Sequence, residues 1–247
     1  MSLIITIHTN EGIIMASDSR TTFNKRDFSP LPDGKGAIIT NDHGIHYSDT
    51  TNKTFLTKNN VGISTCGAAA IGGKPVTGYI EEFINTKIAS DAQVSDVATL
   101  ILKEFRNFKP IPDIIFHVAG YEVENNVLRQ RFYRVFVAVN KKSEIDVASQ
   151  GAAWNGETGI LSRIINPYWS EVKQADGTVT YERHNAPSIP WNFFSLQDAI
   201  DFSKYAMNTT IETMRFQERL KTVSAPIDIL AIKPTGAFWV QKKELHA

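Results

Sequence analysis

The stretch SLIITIHTNEGIIMASDSRTT at positions 2–22 carries three groups able to do chemistry together: the Ser2 hydroxyl, the Asp18 carboxylate and the Arg20 guanidinium. Methionine removal is favoured when the second side chain is small, so the mature chain is expected to begin at Ser2. A terminal serine brings its own base. Its free α-amine has a reference pKa of about 8 and can take the hydroxyl proton directly or through one water. Such an amine needs orientation, a nearby cation to lower its pKa further, and a carboxylate to fix that cation. Residues 3–9 and 13–17 read as the two strands of a hairpin turning at Asn10-Glu11-Gly12. A turn centred on residue 10 brings residue 18 beside residue 2, so Asp18 and Arg20 reach the terminus by register alone.

Other elements must hold that hairpin. Residues 23–52 are rich in Pro, Gly, Asp and Asn and read as a surface insertion, with a small hairpin around AIITNDHGIHY. KTFLTKNNVGISTCG, 53–67, is a strand–turn–strand turning at Asn59-Asn60. Helices are expected over 74–89, with Pro75 in the first turn, and over 94–108, with Val97, Leu100, Ile101 and Phe105 on one face. Strands return at DIIFHVAGYE, RFYRVFVAVN and EIDVAS, followed by a helix over 154–165 and a second insertion over 166–192. SLQD at 195–198 is a capping box opening another helix, and PIDILAI and GAFWVQK form a closing hairpin. Strands, two helices, strands, two helices, strands is not βαβ alternation. It predicts an α+β fold of one domain, residues 1–247, in which two sheets pack face to face with helices on both outsides: a four-layer αββα sandwich.

With the elements in place, the N-terminal motif resembles the start of a mature proteasome β subunit, or of the related bacterial ATP-dependent ring peptidase, both N-terminal-nucleophile (Ntn) hydrolases. Their pattern is a terminal nucleophile, a hairpin with an acidic residue and Gly near its turn, then Asp-x-Arg. Ser2 falls on the nucleophile, Asp18 on the first carboxylate and Arg20 on the arginine that follows. The family next has a strand lysine and, fourteen residues on, a glycine whose N–H forms the oxyanion hole; Lys53 and Gly67 stand at that spacing. The resemblance covers the first 90 residues without the 23–52 insertion, and the rest as an order of elements. The chain departs from the family in three places. The nucleophile is Ser instead of Thr. The family's Gly-Ser-Gly before the third helix aligns with SQGAA, which puts Gln150 at the serine. Its later Asp-x-x-Ser aligns with Leu220 and Val223, with Glu218, Ser224 or Asp228 as candidate substitutes. The resemblance implies hydrolysis of peptide or amide bonds, a homo-oligomeric ring and an ATPase unfoldase as partner. A catalytically inactive structural subunit and a small-amide Ntn hydrolase remain the alternatives.

Bulk properties narrow the field. The 247 residues carry 26 Lys+Arg against 26 Asp+Glu, so no basic surface for nucleic acid or anionic membrane is expected. One cysteine, Cys66, excludes an internal disulfide and agrees with a reducing, cytoplasmic setting. No apolar run is long enough for a bilayer. No Cys/His cluster and no phosphate-cradling glycine loop appear, so neither metal nor cofactor is expected. Cys66 itself reads as a buried small residue, and Trp154, Trp169 and Trp191 as core or interface residues.

Overall fold

The structure is a computed structural model that describes residues 2–32 and 37–244. Its elements in chain order are β1 (Leu3–Thr9), β2 (Gly12–Ser17), β3 (Thr21–Pro30), β4 (Ala37–Ser48), β5 (Thr54–Leu56), β6 (Gly62–Gly67), the short β7 (Ala70–Ile71) and β8 (Lys74–Pro75), α1 (Val76–Lys87), α2 (Val94–Phe105), β9 (Ile114–Glu124), β10 (Val127–Phe136), β11 (Lys141–Glu144), β12 (Gly151–Gly156), α3 (Gly159–Ile165), β13 (Tyr168–Lys173), β14 (Val179–His184), α4 (Leu196–Arg215), β15 (Asp228–Lys233) and β16 (Gly236–Gln241). Two five-stranded antiparallel sheets dominate, with strand orders β12-β1-β2-β15-β16 and β11-β10-β9-β6-β5.

Every residue of β1 and β2 is buried. Such strands lack polar alternation because both of their faces are covered. Leu3, Ile5, Ile7, Ile14 and Ala16 pack with Leu161 of α3 and with Ala206, Met207 and Met214 of α4. The opposite face of the same sheet sends Ile13, Met15, Leu230 and Ile232 against Ala119 and Phe132 of the second sheet. That sheet in turn packs Ile63, Phe116 and Val118 against Ile80 and Phe83 of α1 and Ile101 and Phe105 of α2. Full burial of each such aliphatic or aromatic side chain contributes about 1.5–3 kcal/mol. The two sheets approach closely at Gly62, where a Cβ would lie 2.4 Å from Met15 Sδ.

Both loop regions marked in the sequence contain a two-stranded hairpin. β3 pairs with β4 from Thr21↔Ser48 to Pro30↔Ala37. Ala37–Ser48 is therefore one strand of a larger hairpin, and not a small hairpin by itself. β13 pairs with β14 and exposes Tyr168, Trp169 and Tyr181, whereas Trp154 and Trp191 pack on the α3–α4 side of the first sheet. The expected helix over 154–165 is shorter: residues 151–156 pair with β1, and the helix begins at Gly159. The capping box is present, with Ser195 accepting from Asp198 N and Asp198 accepting from Ser195 N. No helix among the described residues is long and apolar enough to cross a membrane.

A polar bridge at His117 crosses the inter-sheet layer. His117 is fully buried, with Nδ1 2.9 Å from Thr6 Oγ1 and Nε2 2.9 Å from Asn155 Oδ1. The Asn155 oxygen assigns the proton to Nε2, and Nδ1 accepts from the Thr6 hydroxyl. Burial pushes the imidazole down to about 3. The folded ring thus stays neutral while the unfolded one protonates below about 6.5. Stability is expected to fall as pH drops from about 6.5 towards 3, by at most about 1.4 kcal/mol per pH unit from this group. Urea midpoints of wild type and His117→Gln at pH 7 and pH 4.5 check this. The expected result is a smaller loss of stability on acidification in the variant, and equal losses would refute it.

Candidate active site

The β1–β2 turn sets the first distance. Thr9 pairs with Gly12, so the ladder runs Ile4↔Ser17, and Asp18 comes opposite Leu3 instead of Ser2. The two-residue turn at Asn10-Glu11 shifts the register by one from a turn centred on residue 10. Asp18 and Leu3 exchange two bonds: Asp18 N donates to Leu3 O at 3.3 Å, and Leu3 N donates to Asp18 Oδ1 at 2.9 Å.

Asp18 is fully buried and saturated with donors. Oδ1 also accepts from Lys53 Nζ at 2.8 Å; Oδ2 accepts from Arg20 N at 2.9 Å and Ser224 N at 3.4 Å. A buried charge with one cation and several N–H donors is the arrangement that low dielectric tolerates. Lys53 precedes β5 and is 3% exposed. Its ammonium donates to Asp18 and to the Arg20 carbonyl. Burial lowers the Lys53 pKa, and the Asp18 carboxylate opposes that shift.

Arg20 serves a different partner from the one its spacing suggested. Its guanidinium makes a two-pronged pair with Asp49, 2.6 Å at each contact, donates to Lys221 O and lies 4.4 Å from the Tyr47 ring centroid. Arg20 reaches Asp18 through its main-chain N–H.

Gly67 ends β6 with φ +116°, and a Cβ there would lie 2.3 Å from Asp113 O. Only glycine fits that conformation and that approach. Ser2, Lys53, Gly67, Thr22 and Cys66 line one cleft of about 30 Å³. A water needs about 10–15 Å³, so the cleft is narrow. The Thr22 hydroxyl is buried with no partner among the described residues. Burial pushes the Cys66 thiol up to about 12 against the pull of Lys53, which makes it a poor nucleophile.

The other side of Ser2 is built by β12. Glu157 N donates to Ser2 O at 2.7 Å. Gly156 has φ +97°, and a Cβ on it would lie 1.7 Å from Ser2 O, so no other residue permits this approach. Arg219 forms an ion pair with Glu157 Oε2, and Thr222 Oγ1 donates to the same oxygen at 3.3 Å. Nearby, Asp228 pairs across the ladder with Ser17 and holds Lys243 through both main-chain N–H and ammonium. Burial brings Lys243 down to about 8, and the Lys53 charge pushes the same way.

Two comparisons find nothing: no family model and no curated protein sequence matches the chain. Solved structures do match. Anbu (ancestral beta-subunit) from Yersinia bercovieri aligns with TM-score 0.58 and 15% identity over 98% of this chain and 88% of that one. An Anbu (Gly-1) mutant from Hyphomicrobium sp. strain MC1 aligns with TM-score 0.58 and 14% identity over 100% of this chain and 88% of that one. The chain shares the fold of these Anbu structures.

Within this fold, the residues directly before α3 are Gly156, Glu157 and Thr158. Ser149-Gln150-Gly151, matched by sequence to that slot, lies at the far end of β12, where Gly151 pairs with His8 and Gln150 donates to Asn192 O. The reason is that residues 151–156 form β12 along β1 and the helix starts only at Gly159. The segment before β15 does come to the site. Its contributions are Arg219, Thr222 and the Ser224 main chain, not Leu220 or Val223. Glu157 and Arg219 carried no signal in the sequence, because their contact joins segments 62 residues apart.

Proposed function

We propose that the chain is an Ntn hydrolase that cleaves peptide or amide bonds with Ser2 after removal of Met1. The observation carrying this is the buried Lys53–Asp18 pair, 2.8 Å, whose Lys53 lines the same cleft as Ser2 and Gly67. Ser2 Oγ attacks the carbonyl carbon while its proton passes to the α-amine of Ser2. Lys53, held by Asp18, keeps that amine deprotonated at neutral pH. The Gly67 N–H receives the oxyanion. The amine returns the proton to the leaving nitrogen, which departs and leaves an ester on Ser2. A water activated by the amine then hydrolyses the ester. Arg20 acts through Asp49 and through its own main chain. The three apolar clusters support the four-layer αββα reading, with the 23–52 and 166–192 regions as insertions into one domain.

The test is the processed terminus and its reactivity. Terminal sequencing is expected to begin at Ser2. A peptide β-lactone, whose ring opens onto Oγ, is expected to add one adduct mass to the N-terminal peptide and none to a Ser2→Ala variant. A chain beginning at Met1 would defeat this reading. A second reading, a non-catalytic structural subunit, draws on the narrow cleft and on Ser2 being only 7% exposed. A processed chain that takes up no adduct selects it.

The same reading implies a homo-oligomeric ring, supported by the exposed aromatic side chains of the β13–β14 hairpin, and an ATPase unfoldase that feeds it. Light scattering at micromolar concentration is expected to report a mass several times 27.5 kDa, and a clean monomer would count against the ring.

A further inference from the structure

We infer that Glu157 is the positioning residue for the α-amine of Ser2. This rests on the reading of Ser2 as the processed terminus. The 2.7 Å bond from Glu157 N to Ser2 O continues the β1–β12 ladder one step past Leu3↔Gly156. Residue 157 therefore lies across from residue 2 just past the end of β12, joined to it through the main chain. Gly156 exists in the form required for this approach, since any Cβ would strike Ser2 O.

The Glu157 carboxylate is buried, its side chain 7% exposed. Oε2 is occupied by Arg219 and Thr222, while Oε1 has no hydrogen bond to a described residue. A carboxylate clamped at one oxygen keeps the other available to a further donor. Removal of Met1 generates a new donor group, an amine that can carry charge, on the residue directly across the ladder. Arg219 and Thr222 fix the carboxylate, and the carboxylate fixes the amine. Its charge also opposes that of Lys53: Lys53 favours the neutral amine and Glu157 the protonated one, so the pair sets the midpoint of the base between them. A simpler structural role is a clip joining β12 to the segment before β15. The clip and the positioning role differ in what they do to the amine.

The experiment measures the α-amine of the processed protein without any substrate. The pH dependence of its acetylation by acetic anhydride is read on the N-terminal peptide by mass spectrometry. Glu157→Gln is expected to lower the amine's midpoint by on the order of one pH unit. Arg219→Gln, which leaves the carboxylate charged, is expected to leave the midpoint unchanged or raise it. Melting temperatures are recorded alongside. A midpoint unmoved in Glu157→Gln overturns the inference and leaves the clip, even if melting drops. An equal fall in both variants also overturns it, because the common cause would be distortion of the clip. If the wild-type terminal peptide begins with Met1, the Ser2 reading fails first and this inference falls with it; a Ser2 terminus with an unmoved midpoint defeats only this inference.

Discussion

Asp18→Ala is expected to cost about 3–5 kcal/mol of stability, with loss of any activity as a consequence. Four donors converge on this carboxylate: the Lys53 ammonium and the main-chain N–H groups of Leu3, Arg20 and Ser224. Removing it strands a buried ammonium whose remaining partner is the Arg20 carbonyl. It also leaves three N–H groups unpaired, each costing about 1–3 kcal/mol when buried, partly relieved by relaxation or water entry. The effect reaches across the molecule, because those donors come from β1, the segment after β2, and the segment before β15. Urea unfolding of Asp18→Ala beside wild type measures it. A cost under about 1 kcal/mol would mean that the carboxylate is not the organising charge of the site.

Lys53→Met is expected to show the opposite balance, a large loss of reactivity and a smaller loss of stability. Methionine retains much of the buried stem volume, and Asp18 keeps three main-chain donors. With the ammonium gone, the Ser2 amine loses the cation that holds it deprotonated, and it must also act without the proton-transfer support of Lys53. General acid–base contributions of this kind are worth about 10²–10⁴-fold. The rate of adduct formation at Ser2 with the β-lactone, followed by intact mass at neutral pH, is expected to fall by that factor. The stability loss is expected to be less than that of Asp18→Ala. Undiminished labelling would remove Lys53 from the mechanism. Equal destabilisation by the two variants would show the ion pair to be a structural unit of interchangeable halves.

What could be known from the sequence follows from locality. Largely apolar runs rich in β-branched residues at 3–9 and 13–17, with Asn-Glu-Gly between them, specify a hairpin, because both faces of those strands are covered and the turn residues are adjacent to them. The capping box at Ser195 and Asp198 is likewise complete within four residues. The offsets among Ser2, Asp18, Lys53 and Gly67 were also readable, since each sits at a strand end and strand ends gather at one edge of a layered sheet. The tertiary structure decided the partners. Arg20 could pair with either Asp18 or Asp49 on local grounds; the β3–β4 hairpin brings Asp49 to its guanidinium, while Lys53 and three amides fill Asp18 first. The register of one residue at Leu3 turned on which two residues form the turn. Residues 151–156 became a strand because β1 offers an open edge there, a long-range pairing that overrides a weak local helical preference. Glu157 and Arg219, 62 residues apart in sequence, met because that edge strand delivers the glutamate to Ser2 as the return to β15 carries the arginine past it. No spacing rule could announce them, because the contact belongs to two segments whose only common feature is that both must cross the same end of the sheet.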